Sequence, residues 1–215
     1  MAFIDPLISD YLLAHSTAAD DVLRDLAEET HAHLPGESGM QISHDEGEFL
    51  TMLVQLVEPK LAVEVGVFTG YSSICIARGL PAGGRLLALD VSDEWTSVAR
   101  RYWKRAGVED RIELRLGPAA DSLRAMPEDE PVDFAFIDAD KTGYPVYYEE
   151  LLKRLRPGGI LALDNVLRDG RVVDPDARDA ADLAIKDLND AITADTRVTS
   201  VMLPLRDGVT IVRKR

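Results

Sequence analysis

The stretch Leu61-Ala62-Val63-Glu64-Val65-Gly66-Val67-Phe68-Thr69-Gly70 decides how this 215-residue chain is read. Its first half is a short apolar run carrying β-branched residues. Its second half is a turn bearing two glycines, and a helical segment containing Ile74, Ile76 and Ala77 follows, closed by Gly79. A short run of this kind, apolar but for Glu64, suits a strand of a parallel sheet, whose two faces are both covered by helices.

Outward from that stretch the alternation recurs. Arg85 to Asp90 is a second buried-type run ending in an acid, and 93–105 reads as a helix closed by Gly107. Strand-like 111–116 precedes a short helix over 119–126, and 132–137 runs into Asp138. A helix over 144–155 is stopped by Pro157-Gly158-Gly159, a strand over 160–163 ends at Asp164-Asn165, and 177–192 is helical. Strands alternating with helices in this way predict an α/β fold, a Rossmann-like doubly wound sheet with helices on both faces. The last two of the seven strands, 198–203 and 209–212, are joined by a turn around Asp207-Gly208. They are too close for a crossover and should form an antiparallel hairpin at one end.

Before the first strand the pattern is helical. Val22, Leu23, Leu26 and Ala27 recur at helical spacing within 17–34, ended by Pro35-Gly36. Ser43 reads as the N-cap of a second helix, with Glu46 completing a capping box and Phe49, Leu50, Leu53, Val54 and Val57 forming the buried stripe up to Pro59. The expected organisation is one domain over 1–215, with 1–58 as a helical cover and 59–215 as the α/β core. Apolar residues make up 46% and charged residues 29%, an ordinary globular balance. A net charge of −14 argues against nucleic acid and anionic membranes as partners. The N-terminus has no basic stretch and no long apolar run, so neither a signal peptide nor an anchor is expected there. Cys75 is the single cysteine, which rules out an intrachain disulfide and fits a cytoplasmic, reducing setting.

In doubly wound sheets ligands sit outside the carboxyl ends of the strands. Four such ends carry glycines or acids here: Glu64-Val65-Gly66, Asp90, Asp138 and Asp164-Asn165. The Gly66–Gly70 spacing departs from the dinucleotide fingerprint, so a nucleoside lacking a pyrophosphate is the better ligand, with Asp90 placed to accept ribose hydroxyls. Asp138, Asp164 and Asn165 offer hard oxygen donors suited to Mg²⁺, Mn²⁺ or Ca²⁺, from strands expected to be neighbours. Three protein ligands would leave room for water or substrate. On these residues alone a helix cap at Asp138 and a turn at Asp164-Asn165 remain an alternative.

Several motifs together resemble the cation-dependent O-methyltransferases of the catechol and caffeoyl-CoA type. They are Gly66-Val67-Phe68-Thr69-Gly70-Tyr71-Ser72, Phe136-Ile137-Asp138-Ala139-Asp140-Lys141 followed by Tyr144 and Tyr147, Gly159-Ile160-Leu161-Ala162-Leu163-Asp164-Asn165, and Leu205-Arg206-Asp207-Gly208-Val209-Thr210-Ile211. Met40-Gln41-Ile42-Ser43-His44-Asp45-Glu46-Gly47-Glu48-Phe49 is similar to the segment before the first strand in that family. The resemblance implies an S-adenosylmethionine-dependent, Mg²⁺-type enzyme, usually a homodimer, acting on a phenolic small molecule. It implies cofactor contacts at Ile42, Glu64, Gly66, Val67, Ser72, Asp90, Ala119 and Asp138, with Glu64 and Ser72 near the methionine portion, Asp90 near the ribose and Ala119 near the adenine. It further implies metal ligation by Asp138, Asp164 and Asn165, and Lys141 as general base. Val166-Leu167-Arg168-Asp169-Gly170 stands where the plant enzymes carry a Trp-Asn pair used for substrate, so the acceptor stays open.

The chemistry is coherent. A free phenol, with a pKa of about 10, is mostly protonated at neutral pH. Two adjacent hydroxyls on a divalent cation would favour the deprotonated form and aim one oxygen at the methyl group. The rival readings are an oxidoreductase on the same sheet type, a transfer-RNA-modifying relative and a non-catalytic cofactor-binding protein. The glycine spacing, the acidic charge, and the intact Asp138, Lys141, Asp164 and Asn165 argue against them in that order.

Overall fold

The computed structural model describes residues 4–127 and 129–215. Three helices come first: α1 (Pro6–Ala14), α2 (Asp21–His33) and α3 (His44–Val57). Then β1 (Leu61–Val65), α4 (Tyr71–Gly79), β2 (Arg85–Asp90), α5 (Asp93–Ala106), β3 (Ile112–Leu116), α6 (Ala119–Ala125), β4 (Val132–Ile137), α7 (Tyr144–Arg154) and β5 (Leu155–Leu163) alternate. Helix α8 (Ala180–Ala194) leads to β6 (Val198–Leu203) and β7 (Val209–Lys214). The seven strands form one sheet in the order β3-β2-β1-β4-β5-β7-β6. Strands β1 to β5 pair in parallel, and β7 pairs antiparallel with both β5 and β6.

Alternate residues of the central strands serve opposite cores. Val63, Val65, Leu87, Leu89, Ala135, Ile137, Leu161 and Leu163 pack with residues of α6, α7 and α8. Ala62, Leu86, Ala88, Phe134, Phe136 and Ala162 pack with α2, α3, α4 and α5. Phe134 and Phe136 are fully buried, and burial of such side chains contributes about 1.5–3 kcal/mol each. The order reverses direction between β1 and β4, and the loops after both strands open on the same edge, the setting for a ligand crevice.

Three local expectations need correction, and one helix was not foreseen. The capping box at Ser43 does not form: Ser43 is the N-cap, but its hydroxyl turns to Asp45 and caps no backbone N–H. Glu46 instead lies wholly buried. Pro157-Gly158-Gly159 does not separate helix from strand. Strand β5 already begins at Leu155, and the ladder slips between Val132↔Leu155 and Phe134↔Ile160. That irregularity accommodates the proline, which has no N–H to give a regular ladder. Helix α1, which the apolar pattern did not announce, starts on an Asp5 N-cap with Pro6 in its first turn, and none of its residues is buried. Helices α2 and α8 begin later than expected, at Asp21 and Ala180, where Asp20 and Asp179 cap them.

Candidate active site

The carboxyl ends of the parallel strands open on a cavity of about 720 Å³. Ile42, Gly66, Val67, Ser72, Asp90, Ala119, Asp138, Lys141 and Asn165 all line it. Glu64 and Asp164 do not line it; they lie just behind, at 0% and 1% exposure. Met40, Phe68, Tyr147, Arg168 and Arg206, quoted from the sequence only as members of motifs and given no role there, also contribute to the walls, as does Trp95, which sequence reasoning had not singled out.

One half of the cavity is the β1–α4 turn. Asp90 organises it: Oδ2 accepts from the backbone N–H of Val67 (2.8 Å) and Phe68 (2.9 Å), while Oδ1 accepts from Ser92 N–H (2.8 Å). A carboxylate has about four lone-pair sites, so capacity remains for ligand hydroxyls. The glycines serve the protein's own packing. Gly66 (φ +94°) lies so close to Asp138 that a Cβ would fall 1.9 Å from its carbonyl oxygen, and a Cβ at Gly70 (φ +88°) would meet Ala99 and Trp103 at 2.7 Å. Close contact of loop on loop and of helix on helix thus already requires glycine at both positions. Beneath the turn, Glu64 accepts a hydrogen bond from the Ser73 hydroxyl, and its Oε1 has no partner. Burial pushes the Glu64 carboxyl up to about 8, against the hydroxyls of Ser72 and Ser73.

The other half is built at the ends of β4 and β5. These strands pair Ile137 with Leu163, so Asp138 and Asp164 emerge side by side. Lys141 Nζ donates to Asp138 Oδ1 (2.9 Å) and to Tyr144 Oη (2.7 Å). The Tyr144 hydroxyl in turn faces the carbonyl oxygen of Asp164 at 2.9 Å. Asn165 takes a left-handed conformation (φ +56°), and its N–H bonds back to Asp164 Oδ1 at 2.6 Å. Asp164 Oδ2 is buried without a partner. Burial, then the neighbouring Asp138, raise the Asp164 carboxyl above the usual carboxylate range.

Glu46 reaches the same place from α3. Both of its oxygens lack a hydrogen-bond partner, and burial together with Asp164 and Asp138 drives its carboxyl well above the ordinary value. A signal for it existed in the sequence. Glu46 continues the every-fourth-residue line of Leu50 and Val54, so a charge sits on a buried helix face. Among the described residues no three His, Cys, Asp or Glu side chains converge as an ion cage. The expected donor set is two carboxylates and an amide, and the unsatisfied oxygen of Asp164 beside Asp138 and Asn165 fits a hard cation. The cavity therefore joins an organised turn to a surplus of buried oxygen acceptors and one lysine.

Comparisons with known proteins give the chain's family and support its fold. A family model described as O-methyltransferase matches residues 13–215. The chain is 42% identical over 211 residues to "Probable caffeoyl-CoA O-methyltransferase 1" of Dictyostelium discoideum, covering 96% of this chain and 91% of that one. It is 39% identical over 207 residues to the catechol O-methyltransferase domain-containing protein 1 of Mus musculus, with 95% and 78% covered. The crystal structure of the O-methyltransferase from Bacillus cereus in complex with SAH superposes with a TM-score of 0.89 at 34% identity, covering 97% of each chain.

Proposed function

Since this chain belongs to the O-methyltransferase family, we propose that it moves the methyl group of S-adenosylmethionine onto a phenolic, catechol-like hydroxyl with the help of a divalent cation, Mg²⁺ in the first instance. One observation carries the finer part of this reading: Lys141, Asp138 and Asn165 share a cavity with the β1–α4 turn, and the partnerless Asp164 oxygen lies directly behind them. Ile42, Glu64, Gly66, Val67, Ser72, Asp90, Ala119 and Asp138 would hold the methyl donor. Asp138, Asp164 and Asn165 would hold the cation, which when bound supplies Lewis acidity that makes an acceptor hydroxyl easier to deprotonate. Lys141 is the residue placed to take the hydroxyl proton, and the Tyr144 hydroxyl and Asp138 carboxylate orient its nitrogen. As the new oxygen–carbon bond forms, the carbon–sulfur bond breaks and the donor leaves as S-adenosylhomocysteine, the SAH of the Bacillus complex. Ile42, Val67 and Ala119 form a buried apolar part of the wall, and surface of that kind keeps water from competing for the methyl group.

We also read the chain as one domain, 1–58 covering 59–215, that works as a cytoplasmic homodimer. In support of the second copy, α1 exposes Leu7, Ile8, Tyr11, Leu12 and Leu13, a face such a copy could cover. The deciding experiment measures methyl transfer to a catechol, to its matched monophenol and to transfer RNA, with Mg²⁺ and with excess EDTA. The expected result is strong preference for the catechol and loss of turnover in EDTA, restored by Mg²⁺ or Mn²⁺. Equal specificity for catechol and monophenol, or full activity with the metal verified absent, would overturn the cation-chelation reading. Preference for transfer RNA would replace the acceptor class.

A further inference from the structure

Two arginines that line the cavity take no part in the reaction described above. Arg168 follows Asn165 by three residues in the loop after β5, and Arg206 lies in the turn between β6 and β7. Backbone hydrogen bonds lace these two segments into one rim: Val166 N–H donates to the Gly208 carbonyl (3.1 Å) and Leu167 N–H to that of Asp207 (2.8 Å). Asp169 N–H adds a bond to Asp207 Oδ1 at 2.6 Å, and Gly208 packs so closely on Leu167 that a side chain there would clash.

The rim is held in a costly conformation. Six described residues other than glycine have a positive φ, and all but Glu58 line the cavity; Arg168 (+50°) and Arg206 (+47°) are among them. Such backbone disfavours any side chain, persists only where its surroundings enforce it, and gathers at ligand sites.

Each guanidinium is anchored through one nitrogen. Arg168 Nε donates to Asp182 Oδ1 (2.9 Å), part of a buried carboxylate on α8 whose other oxygen accepts from Arg171 Nε (2.8 Å). Arg206 Nη1 donates to the carbonyl of Gln41 (3.0 Å) and stands 3.6 Å from Glu46 Oε2, beyond hydrogen-bond length. No other hydrogen bond among the described residues engages either group, so two of the three nitrogens of each stay unspent. Three acids that line the same cavity differ: Asp140, Asp169 and Asp207 already accept from the Tyr147 hydroxyl, Arg171 Nη1 and the Asp169 N–H in turn. A guanidinium keeps its charge at any ordinary pH, and its planar fork matches a carboxylate or phosphate through paired hydrogen bonds.

We propose that the methyl acceptor carries an anionic group, a carboxylate or a phosphate, and that Arg168 and Arg206 receive it and so determine specificity. The reacting hydroxyl lies toward Asn165 and Lys141, the anion toward the rim. This inference rests on the phenolic reading above, and its test separates the two.

Methyl transfer is measured on catechols that share one short linker and differ at its end: carboxylate, phosphonate, neutral amide or ammonium. The carboxylate or the phosphonate should lead in kcat/KM, chiefly through KM, and the ammonium should trail; whichever leads names the anion. In Arg206→Gln and in Arg168→Gln the ratio of anion to amide should fall by roughly 10–100-fold, the effect of losing a hydrogen bond to a charged group. Arg206→Glu should favour the ammonium over the anion, a reversal that a purely structural arginine would not produce. Transfer to none of the four overturns the phenolic reading and this inference together. No preference for either anion over the amide, or a preference that survives in both glutamine variants, overturns the inference alone. Arg206, in an exposed turn, keeps the proposal testable if Arg168→Gln, which gives up the Asp182 bond, does not fold.

Discussion

Strand β4 has an aspartate near each end, and the two have opposite fates. At the amino end, Asp133 Oδ2 accepts from the backbone N–H of Lys60 (2.8 Å) and Leu61 (3.0 Å), and Oδ1 accepts from Arg156 Nε at 2.6 Å. Both oxygens are occupied, and the contacts tie the start of β1 to β4 and to the irregular opening of β5. At the carboxyl end, Asp138 also has a cationic partner, Lys141 at 2.9 Å. Yet it opens on the large cavity and is followed by buried acids, Asp164 and Glu46, with oxygens to spare. An ion pair therefore says little about role by itself. Where every acceptor is filled, the acid holds the fold together; where acceptors outnumber donors, the site is waiting for a ligand.

The largest expected effect breaks the carboxyl-end pair. Lys141→Ala should lower kcat by roughly 10²–10⁴-fold, the usual span for a positioned base, with S-adenosylmethionine affinity and melting temperature close to wild type. Raising the pH should partly rescue it, because solvent can then deprotonate the bound acceptor. A near wild-type kcat at neutral pH, with chemistry shown to limit the rate, would return Lys141 to a structural role.

Breaking the amino-end pair should do the reverse. Asp133→Ala strands two backbone N–H groups and a guanidinium, so denaturant unfolding should show a loss on the order of 3 kcal/mol, while kcat per folded molecule holds. A variant as stable as wild type would mean that water replaces the carboxylate without loss.

The smallest effect concerns an acid between these extremes, satisfied but near the surface. Asp195 follows α8, and hydrogen bonds from Arg197, with help from the Tyr148 hydroxyl, lower its carboxyl to about 2. A depressed folded-state value means the stabilisation is present above pH 4 and fades as the pH falls toward 2. Asp195→Asn should therefore cost about 1 kcal/mol at pH 7, a modest figure because Arg197 is half exposed, and the gap should narrow by pH 3. Parallel melts at the two pH values would show it, and a constant gap would remove the ion pair as its cause.

Much of this molecule was legible because its signals are local. Strands β1, β2 and β4 begin and end where the apolar runs do, at Leu61–Val65, Arg85–Asp90 and Val132–Ile137. A five- or six-residue buried run bounded by proline, glycine or aspartate has few other ways to satisfy its backbone. The chain order of strand ends brought Asp90, Asp138, Asp164 and Asn165 to one edge, because a parallel sheet points all its carboxyl ends the same way.

What the sequence alone could not decide lies wherever a residue's partner is distant along the chain. Pro157-Gly158-Gly159 has the signature of a break, and only pairing with β4, slipped at Val132, makes it strand. Ser43 and Glu46 have the spacing of a capping box, but a carboxylate that could close a local turn is instead drawn into the space beside Asp138 and Asp164. Asp138 was legible as an acid at a strand's carboxyl end, but nothing local announced Asp133, whose partners Lys60, Leu61 and Arg156 are distant along the chain. Periodicity and turn chemistry report a residue's own few neighbours, so they define elements and the edge where ligands bind. Whether a buried charge is filled or left wanting depends on groups that the fold alone brings within hydrogen-bond reach.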